Sequence, residues 1–118
     1  MDIEKLKADL RKFVKERDWD QFHSAKNLVM ALSGEAGELV EIFQWLTEEQ
    51  SNIENLDEQD RKRVQEELAD IFIYLVRISD KLDIDIASAV NEKMKLNDKK
   101  YPIELSKGNA TKYNRRKK

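Results

Sequence analysis

The sequence predicts an all-α protein of four helices, assembled as an oligomer through its central helices. Three observations carry this. Only three Gly and one Pro interrupt 118 residues, apolar residues recur at helical spacing in long blocks, and Glu, Lys and Leu, all good helix formers, are abundant. At 118 residues the length suits one domain. The reading is an all-α domain over residues 1–102 followed by an irregular basic C-terminal tail over 103–118.

The first helix is expected from Ile3 to about Arg17, with Ile3, Leu6, Leu10, Phe13 and Val14 on one stripe. The polar segment Asp18-Trp19-Asp20-Gln21-Phe22-His23 breaks that pattern, and Ser24 is positioned to cap the next helix. That second helix is expected from Ala25 to Glu48. Leu28, Leu32, Leu39, Phe43 and Leu46 form its apolar stripe, and Ala31, Glu35, Glu38, Ile42 and Trp45 form a neighbouring one. Gly34 and Gly37 each cost about 1 kcal/mol of helix propensity relative to Ala, so a close neighbour, a partner helix or a ligand, is expected at that face.

Residues 50–56 read as a loop and Asp57 or a neighbour as a cap. The third helix, from Arg61 to about Leu82, becomes apolar nearly all round at Ile71, Phe72, Ile73, Leu75, Val76 and Ile78. Such a helix must be covered on every side. A chain this small cannot surround it, so a homo-oligomer is expected. The fourth helix begins after Asp83 or Asp85, with Ile86, Ala89, Val90 and Met94 inward, and stops before Tyr101-Pro102 because proline disfavours helix in the residue before it.

The formal charge of −2 gives no overall attraction to nucleic acid or an anionic membrane. No apolar run reaches the roughly 20 residues that span a bilayer. The first residues, Met1-Asp2-Ile3-Glu4-Lys5, lack a signal-peptide core, and the absence of cysteine removes thiolate chemistry and suits a reducing compartment. The expectation is a cytoplasmic protein that meets phosphates through a cation. The competing expectation is a non-catalytic helical oligomer whose basic end, Arg115-Arg116-Lys117-Lys118, binds nucleic acid or a partner.

Two acidic phrases focus the chemistry. Glu35 and Glu38 are three residues apart, as are Glu67 and Asp70, and on a helix that spacing puts each pair on one face. Two such helices face to face gather four carboxylates. Among 24 acidic residues such spacings are common on solvated faces, but these two adjoin the most apolar blocks. Burying carboxylates there without a cation costs several kcal/mol each. Oxygen-only donors favour Mg²⁺ or Mn²⁺. The Glu-x-x-His element of di-iron bundles is missing. Mg²⁺ commonly takes its remaining ligands from substrate phosphates, which points to a nucleotide or another polyphosphate.

Glu35-x-x-Glu38 followed after a loop by Glu67-x-x-Asp70 resembles the signature of the MazG-like all-α nucleoside triphosphate pyrophosphohydrolases. The segment from Arg17 to His23, Phe43-Gln44-Trp45, Ile73-Tyr74-Leu75, Lys93-Met94 with Asn97, Lys100-Tyr101-Pro102 and the stretch from Lys107 to Tyr113 look like its dCTP pyrophosphatase branch. The resemblance implies a four-helix MazG-like bundle, a dimer or tetramer, hydrolysing a nucleoside triphosphate to the monophosphate and pyrophosphate. dCTP or a modified cytosine nucleotide is favoured, with dUTP or another noncanonical nucleotide as the alternative. By the same resemblance Glu35, Glu38, Glu67 and Asp70 hold Mg²⁺ and carry the catalysis. Trp19, Phe22, His23, Trp45 and Tyr74 enclose the base, Asp20 and Gln21 bind the substrate beside them, and Lys93, Asn97 and Tyr101 serve phosphate and sugar. Without the resemblance, Trp45 and Tyr74 read first as core, His23 as a helix cap, and Lys93 as a solvated last-turn cation.

Overall fold

In a computed structural model that describes residues 1–115, helix α1 covers Ile3–Glu16, α2 Ala25–Phe43, α3 Glu58–Lys81, α4 Ile86–Lys100 and α5 Ile103–Ser106. No strand occurs among the described residues. The chain divides into two compact units, Met1–Ile84 and the part that starts at Asp85. The first holds α1 to α3, the second α4 and α5. Residues 116–118, which carry most of the expected basic run, lie outside the described residues.

The helix starts follow the caps in the sequence. Asp2, Ser24, Asp57 and Asp85 each accept a backbone N–H three residues on, at 3.0, 3.1, 2.8 and 3.1 Å, which satisfies a donor the first turn leaves unpaired. The ends of α1 and α3 share a different device. Asp18 and Asp83 take φ of 52° and 53°, and around each the chain makes a pair of reversed bonds: Trp19 N to Val14 O (3.0 Å) with Asp18 N to Lys15 O (3.1 Å), and Ile84 N to Ser79 O (2.8 Å) with Asp83 N to Asp80 O (3.3 Å). These are Schellman ends with Asp where Gly is usual. The first one turns Trp19 back onto α1, where its ring meets Phe13 edge-on at 5.8 Å and 71°.

Helix α2 stops at Phe43, five residues before the expected Glu48. A capping box is the reason: Thr47 N donates to Gln50 Oε1 (2.9 Å) and Gln50 N donates to Thr47 Oγ1 (3.1 Å). This opens a separate 3₁₀ turn at Glu49–Ser51 instead of continuing α2. Helix α3 begins three residues earlier than expected, directly after its Asp57 cap.

Within the first unit α2 packs along α3, and α1 lies against α3. Val14, Leu28, Ile42 and Val76 are its fully buried apolar side chains. Helix α3 is not covered all round by the described residues: Leu68, Phe72 and Leu75 are 54, 38 and 41 % exposed. A Cβ added at Gly34 or Gly37 would meet nothing within 4 Å, so the close neighbour expected there is not supplied by the described residues. On α4, Val90 and Met94 are exposed rather than inward. The tail expected to be irregular begins with the one-turn α5, too short to show a period, and Tyr113 packs its ring edge-on against Tyr101 at 6.0 Å. No helix among the described residues is long and apolar enough to cross a membrane.

Candidate functional site

Glu35 and Glu38 lie one turn apart on α2, and Glu67 reaches them from α3. One carboxylate oxygen from each falls within 4.8 Å of the other two. Glu35 and Glu67 are half-buried and Glu38 is exposed, so the cluster is open on the Glu38 side. Oε2 of Glu35 and Oε2 of Glu67 are buried without a hydrogen-bond partner. Glu35 is pushed up to about 7, first by the facing Glu67 carboxylate, then by burial, then by Glu38. The neighbouring carboxylates thus oppose ionisation of Glu35 in the free protein.

Asp70, the fourth expected carboxylate, is exposed one turn beyond Glu67 and falls outside that trio. It lines a neighbouring cavity of about 370 Å³. Helix α1 contributes Leu10, Phe13 and Val14 to the wall, the connector contributes Trp19 and His23, and α3 contributes Asp70, Ile73, Tyr74 and Arg77. Tyr74 joins cavity and cluster: burial raises its phenol above the usual value, and the charges of Glu35 and Asp70 raise it further. Trp19, His23 and Tyr74 are therefore brought together at one cavity.

The other expected residues sit elsewhere. Phe22 is 60 % and Trp45 86 % exposed, and neither lines the cavity. Gln21 bonds back to the Asp18 carbonyl at 3.0 Å. Asp20 pairs with Lys81 at 2.8 Å, and that bond holds its carboxyl below the usual range. Lys93, Asn97 and Tyr101 belong to the second unit, four residues apart on and just beyond α4.

Arg77 is the site residue that sequence reasoning passed over. It falls on the Glu67–Asp70–Tyr74 stripe, which was its only signal. The side chain is 4 % exposed, and its cavity position depends on partners far away in sequence. Leu10, Phe13 and Val14 were legible only as an apolar stripe.

Comparison with known proteins bears on what such a site belongs to. Residues 30–115 match the model of the MazG-like family. The dCTP pyrophosphatase 1 of Bos taurus is 46 % identical over 112 residues, covering 95 % of this chain and 64 % of that protein. The Homo sapiens protein of the same name is 42 % identical over the same span. The chain thus spans 64 % of the length of these curated relatives. A crystal structure of a pyrophosphatase from Archaeoglobus fulgidus superposes with a TM-score of 0.77 at 41 % identity, covering 84 % of this chain and 91 % of that one. This chain belongs to the MazG-like family.

Proposed function

We propose that this protein is a divalent-cation-dependent nucleoside triphosphate pyrophosphohydrolase, cleaving between the α- and β-phosphates to release the monophosphate and pyrophosphate, with dCTP or a related deoxynucleotide as substrate. One observation carries the reading: a three-carboxylate cluster on α2 and α3 joined through Tyr74 to an aromatic-walled cavity. The names of the curated relatives and of the solved neighbour support it.

The residues fit a hard cation. The cluster offers oxygen donors alone, and two of its oxygens are buried with nothing donating to them, a state that costs free energy until a partner arrives. Glu35, Glu38 and Glu67 would hold Mg²⁺ or Mn²⁺, with Asp70 at the cavity side. When bound, such an ion supplies charge to the phosphate oxygens and the pyrophosphate leaving group. The exposed side of the cluster at Glu38 admits the triphosphate. Trp19 and Tyr74 offer aromatic faces to a base, worth about 1–3 kcal/mol for each stacked contact, and the surrounding side chains exclude water. Lys93, Asn97 and Tyr101 are proposed for the phosphate and sugar, and Phe22 and Trp45 for the outer edge of the base, on the resemblance alone.

A homo-oligomer belongs to the same proposal. The exposed Leu68, Phe72 and Leu75 of α3, with Val29, Met30 and Val40 of α2, leave apolar surface on both central helices that a second copy would cover. A cytoplasmic location follows from the substrate proposed. The activity is tested with a panel of dCTP, dUTP, dATP and dGTP and product identification by ion-exchange chromatography. dCTP is expected to give the highest kcat/KM, with dCMP and pyrophosphate as products. Turnover of none of the four would refute the reading, and preference for dUTP would keep the reaction and change the base.

A further inference from the structure

His23 of the connector and Arg77 of α3 meet at the cavity wall, where Arg77 Nη2 stands 3.5 Å from His23 Nδ1. Guanidinium nitrogens only donate, so Nδ1 must accept. A neutral imidazole that accepts at Nδ1 carries its proton on Nε2. An imidazolium would set cation against cation at that distance.

Arg77 is itself held by two carboxylates. Asp20 Oδ1 lies 3.6 Å from its Nη2 and Asp80 Oδ2 3.7 Å from its Nη1. Asp80 is gripped by Nε and Nη2 of Arg11 from α1, at 2.7 and 2.8 Å, and Lys81 holds Asp20. The guanidinium is therefore not free to swing away from the imidazole. Its Nε is buried with no acceptor, a donor left over in a wall built around a ligand-sized space.

We propose that Arg77 is a positioning residue that fixes His23 as the neutral Nε2–H tautomer, so that this part of the cavity wall presents donors and selects a ligand carrying an acceptor, such as a base carbonyl or ring nitrogen. The ligand half of this rests on the nucleotide reading above. The tautomer half does not. The surroundings agree: burial and then Arg77 hold His23 below its ordinary value, Lys81 adds to this and Asp20 opposes it, while α1 brings only the uncharged Leu10, Phe13 and Val14 to the wall.

The chain has a single histidine, so long-range ¹H–¹⁵N imidazole spectra of the whole protein report on His23 alone. At pH 7 the wild type is expected to show a protonated Nε2 and a bare Nδ1. Arg77→Met should yield mixed tautomers and a titration midpoint nearer 6.5, and Lys81→Met should keep the Nε2–H form. For dCTP, Arg77→Met should raise KM about tenfold, the equivalent of one lost hydrogen bond, with kcat within about twofold. A wild-type Nδ1–H tautomer or imidazolium at pH 7 overturns the proposal without any variant, as does an unchanged tautomer in Arg77→Met. An Nε2–H wild type that turns over no nucleotide would instead refute the nucleotide reading and leave the positioning role standing.

Discussion

Glu35 and Glu67 face each other from α2 and α3, each with one buried carboxylate oxygen that nothing donates to. Two acids in that relation destabilise the free protein and favour a bound cation, which gives a prediction of opposite signs. Glu67→Gln removes the repulsion and adds a donor, so the metal-free variant should be more stable than wild type by about 1 kcal/mol, or a few degrees in Tm. The same variant should lose the rise in Tm that Mg²⁺ gives wild type. Thermal unfolding in EDTA and in MgCl₂ measures both. A variant less stable without metal, or still stabilised by Mg²⁺, would contradict the assignment.

The aromatic wall gives a second prediction. Trp19 is held over the cavity by the turn at Asp18 and by its edge contact with Phe13. Trp19→Ala should therefore weaken substrate binding by about 1–3 kcal/mol, seen as a rise in KM for dCTP of roughly 5- to 150-fold. The Tm should change far less, because Trp19 is 44 % exposed. Steady-state kinetics beside a melting curve separate the two effects.

Asp80 gives a pH dependence. Its hydrogen bond with Arg11 holds its carboxyl below the usual 3.8. The ionised form is thus favoured in the folded state, and the stability this adds is present above about pH 3.8 and lost as pH falls through the lower folded value. Asp80→Asn should melt below wild type at pH 7, and the gap should narrow below pH 3.8. Melting curves from pH 2.5 to 7 test this; a gap constant across that range would show that the pairing does not contribute through ionisation.

Much of this architecture was legible in the sequence because it is local. Ser24, Asp57 and Asp85 could be read as caps from their places before apolar stripes, and the three cluster carboxylates from the spacing of the two acidic pairs on α2 and α3. Features that depend on chemistry between distant segments were not. The end of α2 was missed because Thr47 and Gln50 cap each other, so apolar Leu46 beyond the true end still extended the stripe. Asp18 and Asp83 gave no sign of left-handed backbone, which Gly would have signalled. Arg77 was legible only as the next position on the Glu67–Asp70–Tyr74 stripe. Its burial is set by Asp20 and Asp80, with Arg11 and Lys81 behind them, and only folding brings those five together. Trp45 shows the opposite case, since its helical spacing suggested core and the resemblance a base pocket, yet it is exposed.

The central claim is that the carboxylates of α2 and α3 support cleavage between the α- and β-phosphates. A ³¹P NMR time course of dCTP with wild type and with Glu38→Gln, in Mg²⁺ and in EDTA, tests it most directly. The account predicts that wild type with Mg²⁺ gives dCMP and pyrophosphate without orthophosphate. It also predicts that EDTA or Glu38→Gln slows this by at least about 100-fold, the loss expected for about 2.7 kcal/mol of transition-state stabilisation. Release of dCDP and orthophosphate, or a Glu38→Gln variant as active as wild type, would contradict it.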